Sequence, residues 1–210
     1  GCELKPEALT PLADAIKFMA AVASLCCANN PGMVGELEYG RLKTPDVHAE
    51  VFKQLTDSLK ISKVTEVDFS SCGIGPVALG HLSDWVRDAT GALTEVNVAF
   101  NQIGSDGGIA LRDALKTSNL KFLAIGTMYT SKGGTVITGS QLTTGVTLSA
   151  GGRLGELISG PNSNFNVKLR WADDGKESNY MKLHSLDGEP LKLPLQSPFE
   201  GEHLDLAHQQ

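Results

Sequence analysis

The residues of this 210-residue chain best suited to acid–base, nucleophilic or metal chemistry are five histidines, four cysteines and a few close carboxylates. Their spacing decides against each use. His48, His81, His184, His203 and His208 form no His-x-His or His-Glu-x-x-His pattern and no Cys/His cluster, so no metal site is expected. Cys2, Cys26, Cys27 and Cys72 contain no Cys-x-x-Cys pair, and no disulfide framework is expected. Asp173 and Asp174 adjoin in sequence, but neighbouring residues of an extended chain diverge, and Asp173-Asp174-Gly175 reads as a turn. Gly104-Ser105-Asp106-Gly107-Gly108 looks like an anion-binding helix start, yet the Gly-x-x-x-x-Gly-Lys-Ser/Thr loop that cradles phosphates is absent, as is Gly-x-Ser-x-Gly. The catalytic set is therefore expected to be empty, with no cofactor.

The residues that do recur with fixed spacing are apolar. Val64-x-x-Val67-x-Phe69-x-x-Cys72-x-Ile74 is repeated as Leu93-x-x-Val96-x-Val98-x-x-Asn101-x-Ile103, 29 residues on. Upstream, Val22-x-x-Leu25-x-Cys27-x-x-Asn30 fits the same pattern, and Cys2, Leu4, Pro6, Ala8, Leu9 and Leu12 match Cys72, Ile74, Pro76, Ala78, Leu79 and Leu82 at a constant offset of 70. Downstream, Leu120-x-x-Leu123-x-Ile125 reads as a fourth strand, with Met128 at the marker position. The markers at 2, 30, 72, 101 and 128 are separated by 28, 42, 29 and 27 residues, and the long step implies an insertion around Pro31 to Pro45. Between strands, Val47, Val51, Leu55 and Leu59 fall on one helical face, as do Leu79, Leu82 and Val86, and Ala110, Leu111 and Leu115. Pro6, Pro45 and Pro76 stand near helix starts, where a missing N–H costs nothing.

This pattern resembles the ribonuclease-inhibitor type of leucine-rich repeat over residues 1–128. The resemblance implies an α/β fold: a short solenoid of parallel strands with outer helices, whose usual work is binding protein. Gly1 and Cys2 enter the pattern at its ninth position, which reads as a processed or partial chain, or as a first strand supplied from elsewhere.

After a linker at 129–134 the texture turns to Gly, Ser and Thr with short alternating apolar runs. Val146 and Leu148 alternate, Gly151-Gly152 turns the chain, and Val167, Leu169 and Trp171 lie opposite Lys168 and Arg170. The stretch from Asn166 to Leu183 resembles the strand–turn–strand of SH3-like or Tudor-like barrels, implying a small antiparallel barrel over 135–188. Tudor-like readers hold methylated cations in an aromatic cage, and here only Trp171 and Tyr180 are near candidates, Trp171 being in phase with the core. From residue 189 to 210, Pro190, Pro194 and Pro198 interrupt Leu191, Leu193 and Leu195, a pattern for an extended tail that docks through Leu191, Leu193, Leu195 and Phe199.

Composition bounds the partners. The net charge is −6, spread over both halves, which argues against nucleic acid. The longest apolar run, Phe18 to Ala28, is about half of the roughly 20 residues a membrane span needs, so membrane association is expected only peripherally, through a complex. Cysteines without a disulfide framework fit a reducing compartment, cytosol or plastid stroma. The joining of such repeats to such a barrel resembles a class of algal proteins, which implies an accessory subunit of a plastid photosynthetic complex as one candidate role.

Alternation along each strand points the interleaved residues away from the helices. The expected partner-binding face therefore carries Glu66, Asp68, Ser70, Glu95, Asn97, Ala99 and Phe122, with Ser24, Cys26 and Ala28 on the first strand and Ala124 and Gly126 on the last. Glu66 is expected beside Glu95, and two like charges kept side by side suit a partner with a basic surface. The sequence thus reads as a non-enzymatic interaction module, a scaffold or accessory subunit. A Tudor-like peptide reader is the alternative, and an enzyme without a recognisable motif comes third.

Overall fold

A computed structural model of the chain describes residues 3–19, 21–89, 93–130, 136–138, 142–162, 166–182 and 186–195. A 3-10 turn at Pro6–Ala8 leads into α1 (Leu9–Phe18), followed by β1 (Ser24–Cys26), β2 (Glu36–Glu38), β3 (Arg41–Thr44) and α2 (Ala49–Lys60). Then come β4 (Glu66–Asp68), α3 (Pro76–Asp88), β5 (Glu95–Asn97), α4 (Gly104–Leu115) and β6 (Phe122–Thr130). The remaining strands are β7 (Val136–Thr138), β8 (Thr147–Ala150), β9 (Arg153–Ser159), β10 (Asn166–Trp171), β11 (Met181–Lys182) and β12 (Gly188–Pro194).

The repeat pattern becomes one mixed sheet in the order β1-β4-β5-β6-β12, with β7 also paired to β6. The first four strands are parallel, and their register sets Leu25, Val67, Val96 and Leu123 in a row facing the helices. Val67, Val96 and Leu123 are buried there with Phe69, Ile74, Leu79, Leu82, Trp85, Ile103 and Leu111, and the Phe52 and Phe69 rings meet edge to face with centroids 5.2 Å apart. This is a mixed α/β fold, a parallel sheet backed by helices.

The long step between markers is a two-stranded hairpin, β2 on β3, turned at Tyr39 and Gly40 with φ of 52° and 76°. Paired positive φ values are what a two-residue hairpin turn demands, which explains a glycine there. The hairpin's far end does structural work. Asp46, at φ 66°, accepts hydrogen bonds from the N–H groups of Gly75, Val77 and Ala78 at 2.7, 2.7 and 3.1 Å, so the insertion caps the start of α3. That turn displaces Val47 from the face expected of it: α2 begins at Ala49, and Val47 is half exposed while Phe52, Leu55, Thr56 and Leu59 form the buried face.

The C-terminal strands form a four-stranded antiparallel sheet, β11-β10-β9-β8, with Leu148, Leu157, Val167 and Leu169 buried beneath it. Two segments assigned in sequence to the second module and the tail return to the first sheet. Val136–Thr138 pairs with the end of β6, which itself runs through to Thr130, and Gly188–Pro194 lies antiparallel along β6. Leu191 pairs with Gly126 and Leu193 with Leu123, and Leu195 packs against the first core with its N–H donating to the Lys121 carbonyl at 2.8 Å. Phe199 lies outside the described residues.

Asp187 fastens the other end of this strap. Its carboxylate accepts from the Ser149 hydroxyl, from Gly151 N at 2.8 Å and from Gly152 N at 2.7 Å, closing the β8–β9 turn, while its own N–H donates to Ser149 O at 2.7 Å. The Ser149 hydroxyl foremost, with the two glycine N–H groups, holds the carboxyl below the ordinary carboxylate range. A depressed folded value stabilises above the unfolded value, about 4, and is lost as pH falls through the folded one. Protection of the β12 amides, taken relative to their intrinsic exchange rates, should therefore fall on acidification below about pH 4, and Asp187→Asn should show lowered protection at neutral pH with that acid dependence removed.

Candidate interaction surface

The exposed face of the parallel sheet is organised by register. Ser24, Glu66, Glu95 and Phe122 are successive Cα partners, as are Cys26, Asp68, Asn97 and Ala124. Glu66 and Glu95 thus stand on neighbouring strands, about 4.8 Å apart in the pairing direction. Glu66 is exposed, Glu95 half-buried, and Phe122 closes the row at 38% exposure. This row gathers the negative charge and the accessible ring of the face.

The second row is held from within. Asp68 accepts from the N–H of Ser70 at 2.9 Å and Asn97 from the N–H of Ala99 at 3.1 Å, each side chain closing a turn onto its own backbone two residues on. These half-buried side chains end their strands as well as facing outward. The third row departs from expectation. Ser70 and Ala99, expected on the partner-binding face, are buried at 7% and 0% exposure, as is Ala124 of the second row at 4%, whereas Ala28 is half-buried. Ser70 and Ala99 lie past their strand ends, where Asn29, Ser71 and Phe100, at equivalent positions, all take positive φ (61°, 53° and 60°). The carbonyls of Ser70 and Ala99 are then taken up by Asn29 N and Ser71 N at 2.9 and 3.0 Å.

Behind the face lies a ladder of marker side chains. Asn101 is 2% exposed; its Oδ1 accepts from Cys72 N and Ile74 N at 2.9 and 3.1 Å, and its Nδ2 donates to the carbonyls of Phe69, Val98 and Ala99 at 2.8, 3.0 and 3.3 Å. One repeat back, the Cys72 thiol donates to Cys27 O at 3.0 Å and Ser70 O at 3.4 Å, and burial pushes its pKa far up, so it stays a neutral donor. Asn30 repeats the asparagine pattern, its Nδ2 donating to Cys27 O and its Oδ1 accepting from Leu4 N at 2.7 Å. Cys2 lies outside the described residues. Asp46 escapes a sequence reading because the N–H groups that donate to it are 29 to 32 residues away; Pro76 at a helix start is the nearest signal.

On the second sheet the two aromatic candidates do not stand free. Arg153 lies over the Trp171 ring at 4.4 Å from its centroid and forks onto Asp173 at 2.8 and 2.6 Å. Asp173 foremost holds the guanidinium's pKa above its ordinary value. Tyr180 is exposed, with the Lys168 ammonium 5.9 Å from its ring, and Lys168 also meets Glu177 at 2.5 Å. Asp173 and Asp174 thus serve an arginine rather than each other.

A parallel sheet backed by helices, with marker amides bridging consecutive turns, defines a leucine-rich-repeat segment. A family model of the leucine-rich repeat matches residues 93–111, the stretch holding β5, Asn101 and most of α4. Comparison with curated proteins finds no match. Among the described residues, no helix is long and apolar enough to cross a membrane, and no group of three or more His, Cys, Asp or Glu is placed to hold a metal ion.

Proposed function

We propose that the chain is a non-enzymatic protein-interaction module whose contact surface is the first row of the sheet face, Glu66, Glu95 and Phe122, flanked by Asp68 and Asn97. The observation that carries this reading is the register that sets Glu66 beside Glu95 with the Phe122 ring at the end of the same row. Two carboxylates on neighbouring strands give the row a negative charge that suits a partner with a basic surface. An exposed aromatic at the end of the row adds the kind of anchor that interface hot spots use. Ser70 and Ala99 support the row as buried residues.

A scaffold or accessory subunit of a larger assembly is the finer form of this proposal, and a plastid photosynthetic complex rests on sequence texture alone. The SH3-like reading of the second sheet rests on its strand–turn–strand, β10 to β11. Its use as a cation reader is not favoured, because Trp171 already carries the chain's own Arg153.

Affinity capture from the native source with the wild-type chain and with Glu66→Lys/Glu95→Lys, scored by mass spectrometry, tests the reading. The double reversal is expected to lower recovery of the specific partner at least tenfold, with thermal stability unchanged. Equal recovery would remove the first row from the interface.

A further inference from the structure

Among the described residues the hairpin of β2 and β3 pairs with no other strand, yet its base is fixed on both sides. Before it, Val34 N donates to Cys72 O at 3.2 Å and Gly35 N to Pro31 O at 3.3 Å; after it, Asp46 N donates to Gly73 O at 3.2 Å and His48 N to Val34 O at 2.8 Å. Leu37 and Leu42, partners across the hairpin, lean on Gly32 and Gly35, where added Cβ atoms would meet their Cδ1 atoms. The turn at Tyr39 and Gly40 is thus carried at the end of a supported arm.

The tip holds a residue that the turn disfavours. Both central positions take positive φ, 52° and 76°; Gly40 suits the second, whereas Asn, Asp or Gly is the usual occupant of the first. Tyr39 stands there instead, a bulky side chain in the left-handed region, where Cβ crowds the following carbonyl. Nothing inside the chain offsets this strain: the side chain is 99% exposed and, among the described residues, makes no hydrogen bond and no ring contact. A strained residue with no internal contact points to a use outside the chain. The neighbouring charges specify the kind of site that would receive it. Glu38 is held by Lys43 across the hairpin at 3.2 Å, and Glu36 lies further back, opposite Thr44. Arg41, the first residue after the turn, is exposed and in no ion pair among the described residues. The tip therefore offers an aromatic ring with a hydroxyl and one unpaired guanidinium, side chains of the two types, Tyr and Arg, in which binding hot spots are enriched.

We propose that the hairpin tip is a second docking surface, on which Tyr39 enters an apolar pocket of a partner protein and Arg41 meets carboxylates at the mouth of that pocket. Charge selects this occupant: with Glu38 neutralised by Lys43, the open charge at the tip is positive, the opposite of the Glu66–Glu95 row. The supported base also lowers the ordering cost of binding, since the arm is already in place and only the side chains at its tip must be fixed.

The probe is the full chain carrying the photoreactive residue p-benzoylphenylalanine at position 39, irradiated in extract of the native source, with the linked residues located by mass spectrometry. The linked residue is expected to be apolar and to lie beside Asp or Glu in a single partner. An excess of wild-type chain should suppress the adduct, and an excess of Tyr39→Asn should not. Arg41→Glu, introduced into the probe, is expected to lower the yield at least tenfold at unchanged melting temperature, while Glu66→Lys/Glu95→Lys leaves the yield in place, which separates the tip from the sheet face. Tyr39→Asn should also melt about 2–4 °C higher than wild type, because asparagine tolerates the left-handed turn position that strains tyrosine. No adduct, adducts scattered over many proteins, full competition by Tyr39→Asn, a yield indifferent to Arg41→Glu, or a melting temperature that Tyr39→Asn fails to raise would each overturn the proposal. An adduct on the Glu66 row of a second copy would overturn it too, by making the tip a self-association contact.

Discussion

Asn101→Ala is expected to lower the stability of the chain by about 3–4 kcal/mol. The amide satisfies the Cys72 and Ile74 N–H groups and the carbonyls of Phe69, Val98 and Ala99, all in a site that is 2% exposed. Alanine removes every one of these partners while water stays excluded, and each orphaned buried N–H alone costs about 1–3 kcal/mol. The consequence is also topological, since Asn101 ties the turn after β5 to the turn after β4. Urea denaturation should show the loss as a lower midpoint, and thermal denaturation as a fall of about 10 °C for a chain of this size. Cys72→Ala makes the comparison sharp: a weak S–H donor to two carbonyls is lost, and about 1–2 kcal/mol is expected. Equal costs for the two variants would mean that the ladder stabilises by filling space and not by hydrogen bonding.

The parallel sheet was legible in the sequence because its evidence is periodic. A constant offset between Val64 and Leu93 predicts that Val67 and Val96 share a row, and the register shows them paired. The interleaved residues follow from alternation alone, so the placing of Glu66 beside Glu95 is legible in the sequence. What alternation could not supply is depth. Ser70 and Ala99 have the right phase for the exposed face and are buried: they lie past the strand ends, where their carbonyls are bonded by the turn of the preceding repeat. Nor could a local pattern reveal Asp46, whose partners lie at the start of α3, beyond α2 and β4, or Arg153, whose stacking on Trp171 joins two strands of the second sheet.

The tail shows the same limit most clearly. Alternating leucines among prolines predict an extended segment, and Gly188–Pro194 is extended, but no local rule says which sheet edge it meets. The choice is made by β6. Phe-Leu-Ala-Ile-Gly-Thr-Met-Tyr-Thr is a nine-residue strand without charge or proline, and left uncovered it would be a template for pairing with other chains.

Truncation after Asp187 is therefore expected to unfold the repeat sheet rather than to trim a dispensable end. Removing β12 strips the ladder from one side of β6 and takes away Leu195, which packs on the first core and anchors to Lys121 O at 2.8 Å. It also severs the connection that runs from buried Leu186 in the second core, through Asp187 on the β8–β9 turn, to the first sheet. Partial burial of Leu195 contributes about 1 kcal/mol and each backbone hydrogen bond of the β12–β6 ladder about 1, so a loss of about 4 kcal/mol is expected, a large part of the total stability of an ordinary domain. The uncovered nine-residue edge then gives the loss a second readout, aggregation seen by light scattering at concentrations where the intact chain stays clear. A chain ending at Gln196 keeps β12 and Leu195 and is the reference; it isolates the strap from whatever follows. If the chain ending at Asp187 kept both the denaturation midpoint and the solubility of that reference, β12 would be an ornament on the sheet. If only solubility fell, the strap would act as an edge guard alone, its pairing adding little to the stability of the fold.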